Sequence, residues 1–176
     1  MRNLIRNYRI RLNEWWWKIL RQYRANCGVG ANVRIKHIRA DGTVVSDHKY
    51  HNIVVDAGLT YLRALVGTDT GAGGALWINL SNNVAAPTSG ETTLKATIYT
   101  ADGLARAIGA YGTSGVNAYT SYKEFTNATA QHSVKSVGLS YTDSDATCMA
   151  GVAITEALLE VGDKLQITWT VTFSSV

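Results

Sequence analysis

The sequence has few of the residues that cross-link a chain or bind metals. Its 176 residues include two cysteines, Cys27 and Cys148, and one proline, Pro87. Two cysteines so far apart make neither a disulfide framework nor a zinc-ligand pattern, and whether they pair with each other stays open. No run of about eighteen apolar residues, the minimum for a transmembrane helix, is present. The basic N-terminus also lacks the uninterrupted apolar segment of a secretory signal, so we expect the chain to assemble in a host cytoplasm.

Charged side chains are scarce as well. They make up 17% of the residues, against about a quarter in an average domain. Threonine, serine, alanine, glycine and valine take their place, which favours an all-β domain with tight turns. A surface with so little charge is expected to be partly covered by neighbouring molecules, which indicates a homo-oligomer.

The charges are unevenly distributed. Residues 1–40 hold ten basic residues and one acidic residue, a net charge of +9, whereas the remainder holds seven basic and twelve acidic residues, a net charge of −5. A basic arm on an acidic body can bind an acidic partner, a nucleic acid, or a neighbouring copy of itself in a head-to-tail array.

Residues 1–30 predict a basic, tryptophan-rich docking helix whose end is marked by Asn26, Gly28 and Gly30. Its main apolar face recurs with helical periodicity. That face consists of Leu4, Ile5, Tyr8, Leu12, Trp15, Trp16, Ile19 and Tyr23. Ile10 and Trp17 lie together on the opposite side, among the arginines, so the helix is expected to contact two surfaces.

These residues form the predicted assembly interface. Aromatic residues and arginine are enriched at the energetic centres of protein interfaces. The interface comprises Ile5, Tyr8, Ile10, Leu12, Trp15, Trp16, Trp17, Ile19 and Tyr23, together with Arg6, Arg9, Arg21 and Arg24.

Residues 31–176 predict a β-sandwich domain. A hairpin is expected over 31–50 around Asp41-Gly42, a short helix over 55–66 after Asp56, and the main sandwich over 75–174. Alternating apolar residues near the C-terminus and short strands between turn residues predict a mainly β fold, an antiparallel sandwich of which the jelly roll is one form. The predicted core contains Trp77, Ile78, Leu80, Val137, Leu139, Ile167, Trp169 and Val171.

Several segments in order resemble a family of structural proteins from tailed phages and archaeal viruses, often described as tail-fibre proteins. The resemblance covers roughly residues 50–173. The matching segments are His51–Leu59, Gly71–Gly74, Leu76–Leu80, Ala85–Thr88, Gly103–Arg106, Phe125–Thr129, Val134–Leu139 and Val161–Trp169.

The resemblance implies a non-enzymatic structural protein of the virion, either a tail, fibre or baseplate component or a capsid decoration protein. Its partners would be itself and other virion proteins, with a host-surface glycan as a further candidate. Direct contact with nucleic acid is not expected.

Candidate catalytic or metal-binding residues are few. His48 and His51, with Asp47 nearby, could supply metal ligands, but an i,i+3 spacing in a strand puts the two imidazoles on different faces. Asp143 and Asp145 lack the glycine and distal glutamate of a calcium loop, which favours a turn. No nucleophile elbow, P-loop or dinucleotide fingerprint is present. We therefore expect no enzyme, no cofactor and no metal.

Two alternatives remain. Tyr111, Tyr119 and Tyr122 would stack on sugars if they are exposed, as in a carbohydrate-binding receptor-recognition module. An amphipathic helix rich in tryptophan and arginine also suits a membrane surface or a nucleic acid, as a basic arm on a β domain.

Overall fold

The computed structural model describes residues 27–54, 58, 74–85, 87–94, 101–143 and 147–175. The predicted docking helix, with every residue of the predicted assembly interface, lies outside these described residues. So does the predicted helix over 55–66, apart from Gly58, which is helical and buried. Nothing in the described ranges forms a helix long and apolar enough to cross a bilayer.

The described residues form ten β-strands. They are β1 (Cys27–Ile38), β2 (Val44–His51), β3 (Ile53–Val54), β4 (Trp77–Ser81), β5 (Ala107–Ile108), β6 (Ala110–Thr113), β7 (Ala118–Thr126), β8 (His132–Ser140), β9 (Cys148–Leu159) and β10 (Lys164–Ser175). They make two five-stranded sheets, sheet A in the order β2-β1-β10-β7-β6 and sheet B in the order β3-β9-β8-β4-β5. The pairs β1–β2, β7–β10, β4–β8 and β8–β9 run antiparallel. The described part of the chain is therefore mainly β, as predicted.

The first hairpin turns at Asp41-Gly42. Gly42 has a φ of 90°, which suits glycine, and the Asp41 carboxylate accepts a hydrogen bond from the Thr43 amide at 2.8 Å. Strand β1 begins at Cys27, within the segment 1–30 that the sequence assigns to the docking helix. Gly28 and Gly30 belong to this strand although glycine has a low strand preference, and the pairing of β1 with β2 begins at Asn32.

One hydrophobic core is built from both sheets. The chain divides into two compact units, Val29–Thr172 and Met1–Gly28 with Phe173–Val176. The core belongs to the first unit. Of the predicted core residues, those that are fully buried are Ile78, Leu80, Val137, Leu139, Ile167, Trp169 and Val171. Trp77 is half-buried, because in β4 it points to the face opposite Ile78 and Leu80.

Part of the second face of sheet B is also buried. Next to Trp77 on this face, Asn79 pairs with Gly138 and Gly138 with Gly151, so the side chains at these positions are small. The connection between β4 and β5 covers them: Leu94 contacts Gly138, and Pro87 lies against Gly151. Small residues here make room for the crossing chain.

We expect Gly151→Ala to lower the free energy of unfolding by about 1–3 kcal/mol, since a methyl group at this position overlaps the Pro87 ring. Chemical denaturation measures the change. Gly90→Ala is the matched control, because a methyl group there meets no atom within 4 Å. Equal stability of the two variants would contradict the close packing of Pro87 on sheet B.

Candidate functional site

A buried histidine–aspartate pair lies where sheet B passes into sheet A. Asp163 is in the turn between β9 and β10, and its Oδ2 is 2.9 Å from Nε2 of His37 on β1. The Asp163 carboxylate also accepts hydrogen bonds from the amides of Ala40 and Glu160, each at 3.1 Å. One carboxylate therefore joins the end of β1, the end of β9 and the start of β10.

Asn127 extends this cluster to the end of β7. Its side-chain amide donates to the carbonyl oxygens of Leu159 and Glu160, each at 3.0 Å. The Asn127 backbone amide donates to the Asp163 carbonyl at 2.9 Å, and the Gly162 amide donates to the Asn127 carbonyl at 2.7 Å. Gly162 has a φ of 87°, which favours glycine at this turn. Four strand ends meet in one hydrogen-bonded cluster.

Burial by itself raises the pKa of Asp163, since it disfavours the charged carboxylate. The hydrogen bonds from His37, Glu160 and Ala40 outweigh this and leave the pKa below its ordinary value. His37 and Asp163 are 5% and 3% exposed, so this pair works as a structural joint. The local sequence does not identify His37 as the partner of Asp163.

The two histidines considered as metal ligands do not lie together. In the β1–β2 register His48 is opposite Ile35 and His51 opposite Asn32, which places the two imidazoles on opposite faces, as the spacing predicted. Asp47 is held by Arg34, whose Nε lies 2.7 Å from Oδ1, and this hydrogen bond lowers the pKa of Asp47. Within the described residues no three His, Cys, Asp or Glu side chains form a metal-binding group.

Other candidate residues are separated or buried. Asp143 makes an exposed ion pair with Arg106 at 3.2 Å, whereas Asp145 lies outside the described residues. Cys148 is a free buried thiol, and burial raises its pKa to about 11. A thiol protonated at neutral pH is a poor nucleophile.

The three candidate sugar-binding tyrosines do not form one platform. Tyr111 and Tyr119 stack with their ring centroids 6.1 Å apart and their planes inclined by 22°. The Tyr119 hydroxyl donates to the Ala75 carbonyl at 3.3 Å, whereas Tyr111 is 63% exposed. Tyr122 follows Ser121, the residue opposite Tyr111, and therefore points to the other face of sheet A.

The exposed face of sheet A carries a shallow concave surface of about 450 Å³. Basic and hydroxyl side chains line much of it. The lining residues are Asn32, Val33, Arg34, Lys49, Tyr50, His51, Thr168 and Thr170. Strand β2, which supplies three of them, is also the edge of this sheet.

The chain matches no protein-family model, no curated protein and no solved structure. Its function must therefore be inferred from its own residues.

We expect Asp163→Asn to lower the free energy of unfolding at pH 7 by about 1–3 kcal/mol, because the amide loses the charge and part of the acceptor capacity that its buried donors use. Since the folded-state pKa of Asp163 lies below its unfolded value, the stabilisation is present above about pH 4 and is lost as the pH falls through the folded-state pKa. The difference from the wild type should therefore shrink below about pH 4.

Denaturation with urea between pH 7 and pH 3 measures this difference. Asp143→Asn is the control, because its ion pair is exposed and contributes little. A pH-independent difference for Asp163→Asn would show that the carboxylate charge is not used.

Proposed function

We propose that this protein is a non-enzymatic structural component of a tailed-virus particle, in a tail, fibre or baseplate or as a capsid decoration protein. In this proposal the body is an antiparallel β-sandwich that self-associates, and the N-terminal docking helix anchors it in the assembly. The two sheets and their shared core support a sandwich.

The main support for the proposal is the structural position of the segments that resemble the virion proteins. Gly103 has a φ of 77°, and a side chain there would overlap the Thr126 carbonyl, so the Gly103–Arg106 segment contains a position that requires glycine. The next residue, Leu104, is fully buried. Val161–Trp169 contains the Asp163 joint and the buried Trp169. The segments that resemble the virion proteins coincide with framework positions, which supports a likeness of architecture.

The charge distribution supports self-association. The basic segment 1–40 and the acidic remainder have opposite net charge, so copies placed head to tail attract one another. Exposed ion pairs contribute little each, and the aromatic residues of the docking helix would therefore dominate the affinity.

One observation favours a second candidate, a carbohydrate-binding role. Tyr111 is largely exposed and rests on Tyr119, so its free ring face is held in place for stacking on a sugar. A receptor-binding fibre would combine this role with the structural one. Loss of glycan binding in Tyr111→Ala, with assembly intact, would separate the two.

We expect Trp17→Ala in the full chain to weaken self-association while barely changing the melting temperature at concentrations where the chain is monomeric. In the predicted docking helix Trp17 lies on the side opposite the centre of the main apolar face and about 100° from Trp16, so its ring would be available to a neighbouring subunit. Sedimentation velocity measures association, and calorimetry measures the melting temperature. Trp17→Phe is the control, since it keeps an aromatic ring at the same place.

Wild-type association by Trp17→Ala would contradict the docking role. Immunogold labelling of purified particles with an antibody to this protein tests the position in the virion. Particles that carry no label would contradict the virion assignment.

A further inference from the structure

Strand β2 is the longest edge strand among the described residues, and most of it is exposed. It has eight residues, and six of them are exposed. No strand lies beyond it among the described residues. An edge strand presents unpaired N–H and C=O groups, which are a template for pairing with a further strand.

The other edges are shorter. Strands β3 and β5, at the two edges of sheet B, have two residues each, and β6 has four. Short edges offer few backbone hydrogen bonds to a partner. If another chain extends one of the sheets, β2 is therefore the edge that offers the most backbone hydrogen bonds.

The charges on β2 are self-complementary in one register. Asp47 and Lys49 lie on the same exposed face of sheet A, two residues apart along the strand. If β2 pairs antiparallel with β2 of a second copy around a two-fold axis at His48, Asp47 of each strand lies opposite the partner's Lys49. Shifting the axis to Asp47 or to Lys49 places like charges opposite each other, which destabilises pairing. A one-residue slip puts the side chains on the wrong face.

This pairing also gives Lys49 an acidic neighbour. In the β1–β2 register it is opposite Arg34, so two cations are neighbours within one chain. Arg34 is already bound to Asp47 of its own chain at 2.7 Å. The partner's Asp47 brings a carboxylate to Lys49 that its own cross-strand neighbour does not provide.

We propose that β2 is a dimerisation edge, which pairs antiparallel with β2 of a second copy, with Asp47 opposite the partner's Lys49. Sheet A of the two copies becomes one continuous sheet. The proposal deepens the proposed self-association and rests on it, but it uses no residue of the docking helix.

The test uses opposite charge changes in two full-length variants. Lys49→Glu places a carboxylate opposite the partner's Asp47, and Asp47→Lys places an ammonium group opposite the partner's Lys49. Each variant alone should dimerise about tenfold more weakly than the wild type, because two attractive cross-strand pairs become repulsive. Mixing the two restores both attractive pairs, so the mixture should form a heterodimer. Native mass spectrometry distinguishes it by mass.

Arg39→Glu is the control, because it changes the net charge as much as Lys49→Glu does, at an exposed site outside β2. It should dimerise like the wild type, and circular dichroism should show that all variants are folded. Unchanged dimerisation by both β2 variants, or no heterodimer in the mixture, would overturn the β2 edge. If Trp17→Ala still reduces association in that case, the proposed function stands. If neither β2 nor Trp17 affects it, both fail.

Discussion

The fold depends on a buried carboxylate at the passage from one sheet to the other. Asp163 follows β9 of sheet B and precedes β10 of sheet A, and its oxygens bind His37 and two backbone amides. A buried charge without partners is costly, so these donors must be in place when the chain folds. These donors come from the end of β1 and from the turn itself. The carboxylate therefore fixes β1 and β10, which are neighbours in sheet A, relative to each other. Asn127 then attaches the end of β7 to the same point.

Local pattern was enough to predict the strands that bury one face. The alternation of Ile167, Trp169 and Val171 has the period of a strand, and all three are buried. It was not enough for the second face of sheet B, where Asn79, Ser136 and Gly138 are buried and Gly138 lies against Leu94 of the β4–β5 connection. Polar and small residues indicate exposure in a sequence, and only the path of the covering segment makes them interior. The start of β1 at Cys27 was not predicted either, because Gly28 and Gly30 are of a residue type that strands disfavour.

In the candidate site, too, local sequence predicts some features and not those that depend on distant residues. The separation of His48 and His51 follows from strand periodicity alone and was predicted. The partnership of His37 with Asp163 joins residues 126 positions apart, and no local signal connects them. The stacking of Tyr111 on Tyr119 likewise depends on the β6–β7 register, although both tyrosines were singled out as candidates. The docking-helix prediction rests on sequence periodicity alone and stays a prediction.

The two proposed contacts differ in symmetry, and this decides what they can build together. Pairing of β2 with itself is isologous, so it is used up in a dimer and cannot propagate. Docking of a basic helix on the acidic body of a neighbour is heterologous, and such contacts close into rings or extend into open arrays. A chain with both would make dimers that are linked further through their N-terminal segments. Loss of β2 pairing should then leave rings or single-file arrays, whereas loss of docking should leave isolated dimers.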